Sequence, residues 1–391
     1  MNRIPHASAL LDWMQAQESM ALDLLERLAL CESPSSDPGS QPAVRSVLAE
    51  ALEPLGLRVR ALPGRSSGGM LYASPKDRRR RAPAQLMLGH YDTVWPSGTL
   101  ETMPYEHTDG VVRGPGVFDM KGGLVMMVLA LGGLAALGVQ PAVAPLIFAN
   151  SDEEIGSRDS RRFIEALARR VIRVFVLEPS LGEAGRLKTS RKGIARFTIS
   201  VAGQAAHAGL EPGKGASAIL ELSHVIQRLF ELNDPDRGVT VNVGTIDGGL
   251  RPNVVAPESR AVVDVRVAGA EDARRIEAAI RGITASTPGT DVRVEGGFGR
   301  PPMEPTERNQ RLWKRALELG AGLDLDLEQA AVGGGSDGNT TSLYTATLDG
   351  LGPVGGGAHA PDEHLLLDPT LRRAALLALL LADPPDPGAD S

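Results

Sequence analysis

Two histidines and five carboxylates stand in this chain where chemistry can be done. His90 and Asp92 end an apolar run in "LMLGHYDTVWP"; Asp119 lies in the glycine-rich "GPGVFDMKGG"; Glu153 and Glu154 follow "LIFANSD"; Glu178 follows "VFVL"; His359 lies in "GGGAHAPDEH". Taken singly, each has an ordinary explanation as a helix cap or a solvated loop residue, and the glycines as turn punctuation. Lys121 belongs to no phosphate loop, because no Gly-Lys-Ser/Thr follows. Together they argue otherwise. Carboxylates gathered at three strand ends on one sheet edge repel strongly unless a cation neutralises them. Nitrogen and oxygen donors without thiolates suit zinc, with cobalt or manganese as substitutes. The number of ligands suggests two ions, sharing one Asp at a separation of roughly 3.5–4 Å. Each ion then takes one His and one Glu, a water bridges them, and a spare Glu can act as its general base.

The elements that must position these residues follow from hydrophobic spacing. Strand signals at 84–89, 144–149 and 172–177 alternate with helical patterns at 121–138 and 160–170, which predicts a largely parallel α/β sheet flanked by helices. Functional groups in such sheets gather beyond the carboxyl ends of the strands, here "GHYD", "ANSDEE" and "LEPS". Upstream, residues 8–31 and 42–54 predict helices and 57–61 and 69–73 short strands, with the charged run "PKDRRRR", ending at Arg81, as a solvated turn. The order then changes to a strand at 193–202, a helix at 215–232, strands at 239–246 and 260–267, a helix at 271–286 and a strand at 290–295. That is the ferredoxin-like order. It predicts a catalytic domain over 1–191, an inserted domain over 192–302, and a return to the first domain over 303–391. The second part ends in a helix at 369–383 and a disordered tail, "DPPDPGADS".

Bulk properties exclude some classes. A length of 391 residues suits two domains, and 42% apolar with 23% charged residues is ordinary for a globular protein. A net charge of −7 argues against a general nucleic-acid binder. Cys31 is the single cysteine, which excludes an intrachain disulfide and reads as a small buried residue near a helix end. The N-terminus lacks a secretory pattern, and the apolar stretch from Gly122 to Gly138 reads as a buried helix rather than a membrane span. A cytoplasmic protein without membrane contact is the expectation.

The ordered motifs "ESPSSDPG", "GHYDTVWP", "GPGVFDMKGG", "SDEEIGS", "LEPS", "AAHAG", "GGGSDGN" and "GGGAHAPDEH" cover nearly the whole chain. They resemble the acetylornithine deacetylase, succinyl-diaminopimelate desuccinylase and glutamate carboxypeptidase family of co-catalytic zinc hydrolases, bacterial glutamate carboxypeptidases above all. The resemblance implies a mixed, largely parallel sheet sandwiched by helices, with the ferredoxin-like α+β insert serving as lid and dimerisation domain. It implies two zinc ions per subunit: His90 and Glu178 on one, Glu154 and His359 on the other, and Asp119 between them. Glu153 would be the base that deprotonates the bridging water and then protonates the leaving amine. Asp92 would hydrogen-bond His90 and orient it. His207, in "GQAAHAG", would reach a partner subunit's site and stabilise the oxyanion. Asn253, Arg300 and the backbone of the 333–335 glycines, Gly334 and Gly335 among them, would hold the substrate and its terminal carboxylate.

Family members share metals and base yet remove different groups, so the motifs leave the substrate open. Arg186 lies where glutamate carboxypeptidases carry a lysine that meets a side-chain carboxylate, with Lys188 and Arg191 as alternatives. Release of a C-terminal amino acid, glutamate, from a small peptide or N-acyl amino acid is the first expectation. An N-acyl amino acid deacylase is the second, and a non-catalytic metal-binding relative the third.

Overall fold

In the computed structural model, which describes residues 6–79 and 81–385, Ala84–His90 and Arg173–Val176 are buried along their whole lengths. Strands in the middle of a sheet covered on both faces are buried in this way. The sheet has six strands in the order Leu57–Leu62, Met70–Pro75, Ala144–Asn150, Ala84–His90, Arg173–Val176, Ala346–Leu348. The last four are mutually parallel, whereas Met70–Pro75 runs antiparallel to both of its neighbours. The sheet is therefore mixed and largely parallel.

Alternate residues of each strand feed two cores. Met87, Ile147 and Phe175 pack with the helices Gly122–Ala136 and Leu367–Ala382. Leu86, Leu146, Phe148 and Val174 pack with Arg161–Ala168 on the opposite face. Gly122–Ala136 is apolar on nearly every side and buried almost throughout, which makes it a core helix.

These elements form one compact unit that runs to Thr189 and resumes over Pro305–Ala331 and from Ser336. The second unit comprises Ser190–Glu304 and Val332–Gly335. Its sheet has the order Thr240–Gly248, Glu258–Val267, Gly193–Ala202, Asp291–Arg300, antiparallel throughout, with the helices Ala218–Phe230 and Ala270–Arg281. This is the ferredoxin-like arrangement in order and in space. Val332 joins this unit because its carbonyl accepts from Lys192 N at 2.9 Å.

Several expectations need correction. The predicted helix at 8–31 is two helices, Ala7–Ala16 and Glu18–Leu30, broken at Gln17, whose N–H is shared between the carbonyls of Trp13 and Met14. Both pieces touch the core helix Gly122–Ala136, but the first packs chiefly on Leu367–Ala382 and the second on Gln41–Leu52. The helix predicted to 286 ends at Arg281, before Gly282. The helix Glu307–Gly320, capped by Thr306 and burying Leu312, Trp313, Ala316 and Leu319 at helical spacing, and the edge strand Ala346–Leu348 were not among the predicted elements. Residues 386–391 of the predicted tail lie outside the described residues.

Candidate metal centre

Three adjacent parallel strands end at one edge of the sheet, with His90 opposite Asn150 and Leu88 opposite Val176. The chain leaves that edge as Tyr91-Asp92, as Ser151-Asp152-Glu153-Glu154 and as Leu177-Glu178. Asp119 comes from the irregular turn Val117–Lys121 in front of the core helix, and the Asp119–Met120 peptide is cis. Gly123 allows that helix to start close to the third strand end. A Cβ there would lie 2.2 Å from the Leu177 carbonyl oxygen, one residue before Glu178.

His90 is buried, with Nδ1 donating to the Asp92 carbonyl oxygen at 3.0 Å and 3.4 Å from Asp92 Oδ1. Its Nε2 is thereby turned toward Asp119 Oδ1 at 3.3 Å and Glu178 Oε1 at 3.5 Å. His359, half-exposed, points Nε2 at Asp119 Oδ2 at 3.4 Å and at Glu154 Oε2 at 3.1 Å. Asp119 thus stands between two imidazoles with one oxygen toward each. Ligand atoms of His90, Asp119 and Glu154 lie within 4.8 Å of one another, as do those of His90, Glu153 and Glu178.

His90 Nε2, Asp119 Oδ1 and Glu154 Oε1 are buried and make no hydrogen bond. Buried polar atoms almost always find a partner, so three unsatisfied atoms on residues of one such cluster fit cation binding. Nitrogen and oxygen donors of this kind suit zinc.

The electrostatics agree. Burial and the Asp119 charge raise Glu154 to about 7, against the hydrogen bond from His359. Asp119 stays well below the usual carboxylate range although burial opposes this, because the His359 and His90 imidazoles face its two oxygens and Lys188 adds positive charge. Asp119 and Glu154 push His359 up to about 10. His90 is likewise raised, since its three carboxylate neighbours outweigh its burial. These carboxylates hold protons on the imidazoles where a divalent cation would displace them.

Other residues fix the ligands. The Asp92 carboxylate accepts from Ser35 Oγ at 2.6 Å and from the N–H groups of Glu153 and Glu154, each at 3.2 Å. It therefore orients the two glutamates, while its own carbonyl orients His90. Glu363 was missed by sequence reasoning. Buried in the "GGGAHAPDEH" loop, it accepts from the N–H groups of Gly116 (2.9 Å), Phe118 and Asp119 (each 3.0 Å) and from Trp95 Nε1 (2.7 Å). No spacing signal marks it, because its partners are backbone groups of a distant loop. Asp337 accepts from Asn150 Nδ2 at 2.6 Å and from Ser157 Oγ, tying two loops at the same edge.

The remaining expected residues are elsewhere. In the second unit His207 forms a β-bridge with Val254, and Ala208 N donates to the Asn253 carbonyl at 3.0 Å. Arg300, buried, ends a strand of the same unit. The Gly334 and Gly335 carbonyls accept from Arg191 Nη1 at 3.3 and 3.4 Å. Arg186 is half-buried in the first unit, with an unpartnered Nε, and Lys188 is buried nearby.

A family model described as Peptidase family M20/M25/M40 matches residues 86–383. The chain is 27% identical over 379 residues to carboxypeptidase G2 of Pseudomonas sp. (strain RS-16), covering 94% of this chain and 90% of that one. It is 26% identical over 392 residues to a succinyl-diaminopimelate desuccinylase of Dechloromonas aromatica (strain RCB), covering 92% and 97%. Among solved structures, aminopeptidase PepT from Bacillus cereus ATCC 10987 superposes with a TM-score of 0.75 at 19% identity, over 93% of this chain and 98% of that one.

Proposed function

Because the chain belongs to peptidase family M20/M25/M40 and is a metal-dependent hydrolase of peptide or amide bonds, we propose that it releases a C-terminal amino acid, glutamate, from small peptides or N-acyl amino acids. His90, Asp119, Glu154, Glu178 and His359 would hold two zinc ions. The observation that carries this reading is Asp119, with a separate imidazole facing each of its oxygens. When bound, the ions polarise the amide carbonyl and lower the pKa of water. Glu153, buried beside His90 and Glu178, takes the proton from the attacking water and returns it to the leaving amine. Asp92 keeps His90 and the Glu153 backbone in place for that transfer.

His207 is exposed, and its Nδ1 accepts from the N–H groups of Gly209 and Leu210, each at 3.2 Å, so Nε2 carries the proton and faces outward as a donor. That supports its role as an oxyanion donor to a partner subunit's site. The homodimer this requires is supported by Ile246 and Leu250, 66% and 64% exposed, on and just after the edge strand Thr240–Gly248. For the substrate, Asn253, Arg300, Gly334 and Gly335 hold the terminal carboxylate, and Arg186 meets the glutamate side chain with Lys188 close by. The similarity to a carboxypeptidase over most of both chains favours this choice. A single cysteine and no disulfide fit the reducing cytoplasm as its location.

The similarity to a desuccinylase favours a second reading, removal of an acyl group from an N-acyl amino acid. The zinc-reconstituted protein should be assayed on an N-acyl-glutamate, its N-acyl-alanine analogue and N-acetyl-ornithine, with Glu153→Ala in parallel. Glutamate release faster than alanine release, and abolished in the variant, supports the carboxypeptidase. Equal rates on the first two sink the acidic preference, and faster turnover of N-acetyl-ornithine selects the deacylase.

A further inference from the structure

The basic run ending at Arg81 takes no part in the metal centre, and its surroundings form a site of their own. On one face of the six-stranded sheet, Arg58 and Arg60 flank Val59 and stand opposite Ser74 and Tyr72 in register, so all four side chains share that face. The helix Arg161–Ala168 covers the same face over Leu146 and Phe148 but leaves Arg58 and Arg60 exposed. Beyond Met70–Pro75, Arg78 and Arg81 lie beside them, and Arg78 Nη2 donates to the Ala82 carbonyl at 3.1 Å. A cavity of about 970 Å³ results, lined by Arg58, Arg60, Arg78, Arg81 and Arg170. Tyr72, Leu146 and Leu167 supply an apolar wall.

Five guanidinium groups around one cavity repel one another. Among the described residues none of the five is ion-paired with a carboxylate, and Arg78 Nε is buried without an acceptor. An anion in the cavity would satisfy both conditions. Guanidinium forks match phosphate oxygens two at a time. The volume falls in the range of small-ligand sites, roughly 300–1,000 Å³. These arginines line a concavity on a chain of net charge −7, which suits a small anion better than a nucleic-acid strand.

We propose that this cavity binds a small molecule bearing two or more phosphoryl groups, with its organic part against Tyr72. Leu146, Ala82 and Arg170 lie at the amino ends of the strands whose carboxyl ends deliver the metal ligands. The ligand therefore takes no part in the hydrolysis, and the site does not depend on which amide is cut.

The test is calorimetric titration of the zinc-loaded full chain with inorganic triphosphate and with ATP, at about 50 mM and about 200 mM salt. The expected result is saturable binding that weakens with salt and falls roughly 10- to 100-fold in the double variant Arg58→Ser/Arg60→Ser. That variant should keep its zinc content and hydrolytic rate, which shows that it folds. ATP binding more tightly than triphosphate, with Tyr72→Ala removing the difference, supports the placement of the organic part. Equal binding of the two would overturn that placement. The proposal fails if neither probe binds, or if binding is unchanged in the double variant, as it would be for a polyphosphate held by zinc. It also fails if a short oligonucleotide binds more tightly than either probe and loses affinity in the same variant.

Discussion

At the scale of single residues, Glu363 and Glu153 separate positioning from chemistry. Glu363 gathers three backbone N–H groups and the Trp95 indole onto one buried carboxylate, so Asp119 is held from behind its own peptide. Glu363→Gln keeps the shape but replaces one acceptor oxygen with a donor facing N–H groups, and it should weaken zinc binding about 10- to 100-fold with the fold retained. Competition with a chromophoric chelator reads this directly. Glu153→Ala is the converse case: kcat should fall by about 10²–10⁴ while zinc content stays unchanged. His90, Asp119, Glu154, Glu178 and His359 were visible as candidates because each sits in a motif whose residue types suit a cation. Glu363 was not, because its value depends on where the 116–119 backbone folds.

At the scale of elements, the longer strands of the two main sheets were read closely, and helix ends and the short strands poorly. Ala84–His90 is delimited by its own apolar run, whereas the break at Gln17 depends on which partners the two halves meet. The insert shows how a loop can fasten a helix. Glu221, on Ala218–Phe230 and fully buried, accepts from Thr287 N at 2.6 Å, from Ser286 N at 3.1 Å and Oγ at 2.9 Å, and from Arg228 at 3.0 Å. Burial opposes its ionisation, yet the Thr287 and Ser286 hydrogen bonds hold it down to about 2 from the ordinary value of 4.5. A folded pKa below the unfolded one adds stability that is complete above the unfolded value and lost as pH falls toward the folded one. Glu221→Gln should therefore cost about 1–3 kcal/mol at pH 7, with the deficit shrinking as pH falls through the window from 4.5 to 2. Urea denaturation of both proteins across that range measures it, and a deficit independent of pH would contradict the account.

At the scale of the whole molecule, ligand binding and assembly become testable. A site built of mutually repelling carboxylates should be stabilised by its ion through mass action, by about 2.7 kcal/mol at a free zinc concentration 100 times Kd. Stripping with a chelator should lower the denaturation midpoint, and added zinc should restore it. Ile246→Glu with Leu250→Glu should convert the proposed dimer to a monomer by light scattering, with activity lost and zinc retained, since His207 would then have no partner site to reach. By itself the sequence determined the family, the alternation of the main strands and helices, the ferredoxin-like insert and the residues able to bind a cation, because residue type and hydrophobic period are local properties. Only the tertiary structure decided that Asp119 turns one oxygen to each imidazole, that the Asp92 carboxylate holds the backbone of both glutamates, that Glu363 braces Asp119, and that arginines far apart in sequence surround one cavity. Each of these requires strand register and loop return to bring together groups that lie up to hundreds of residues apart along the chain.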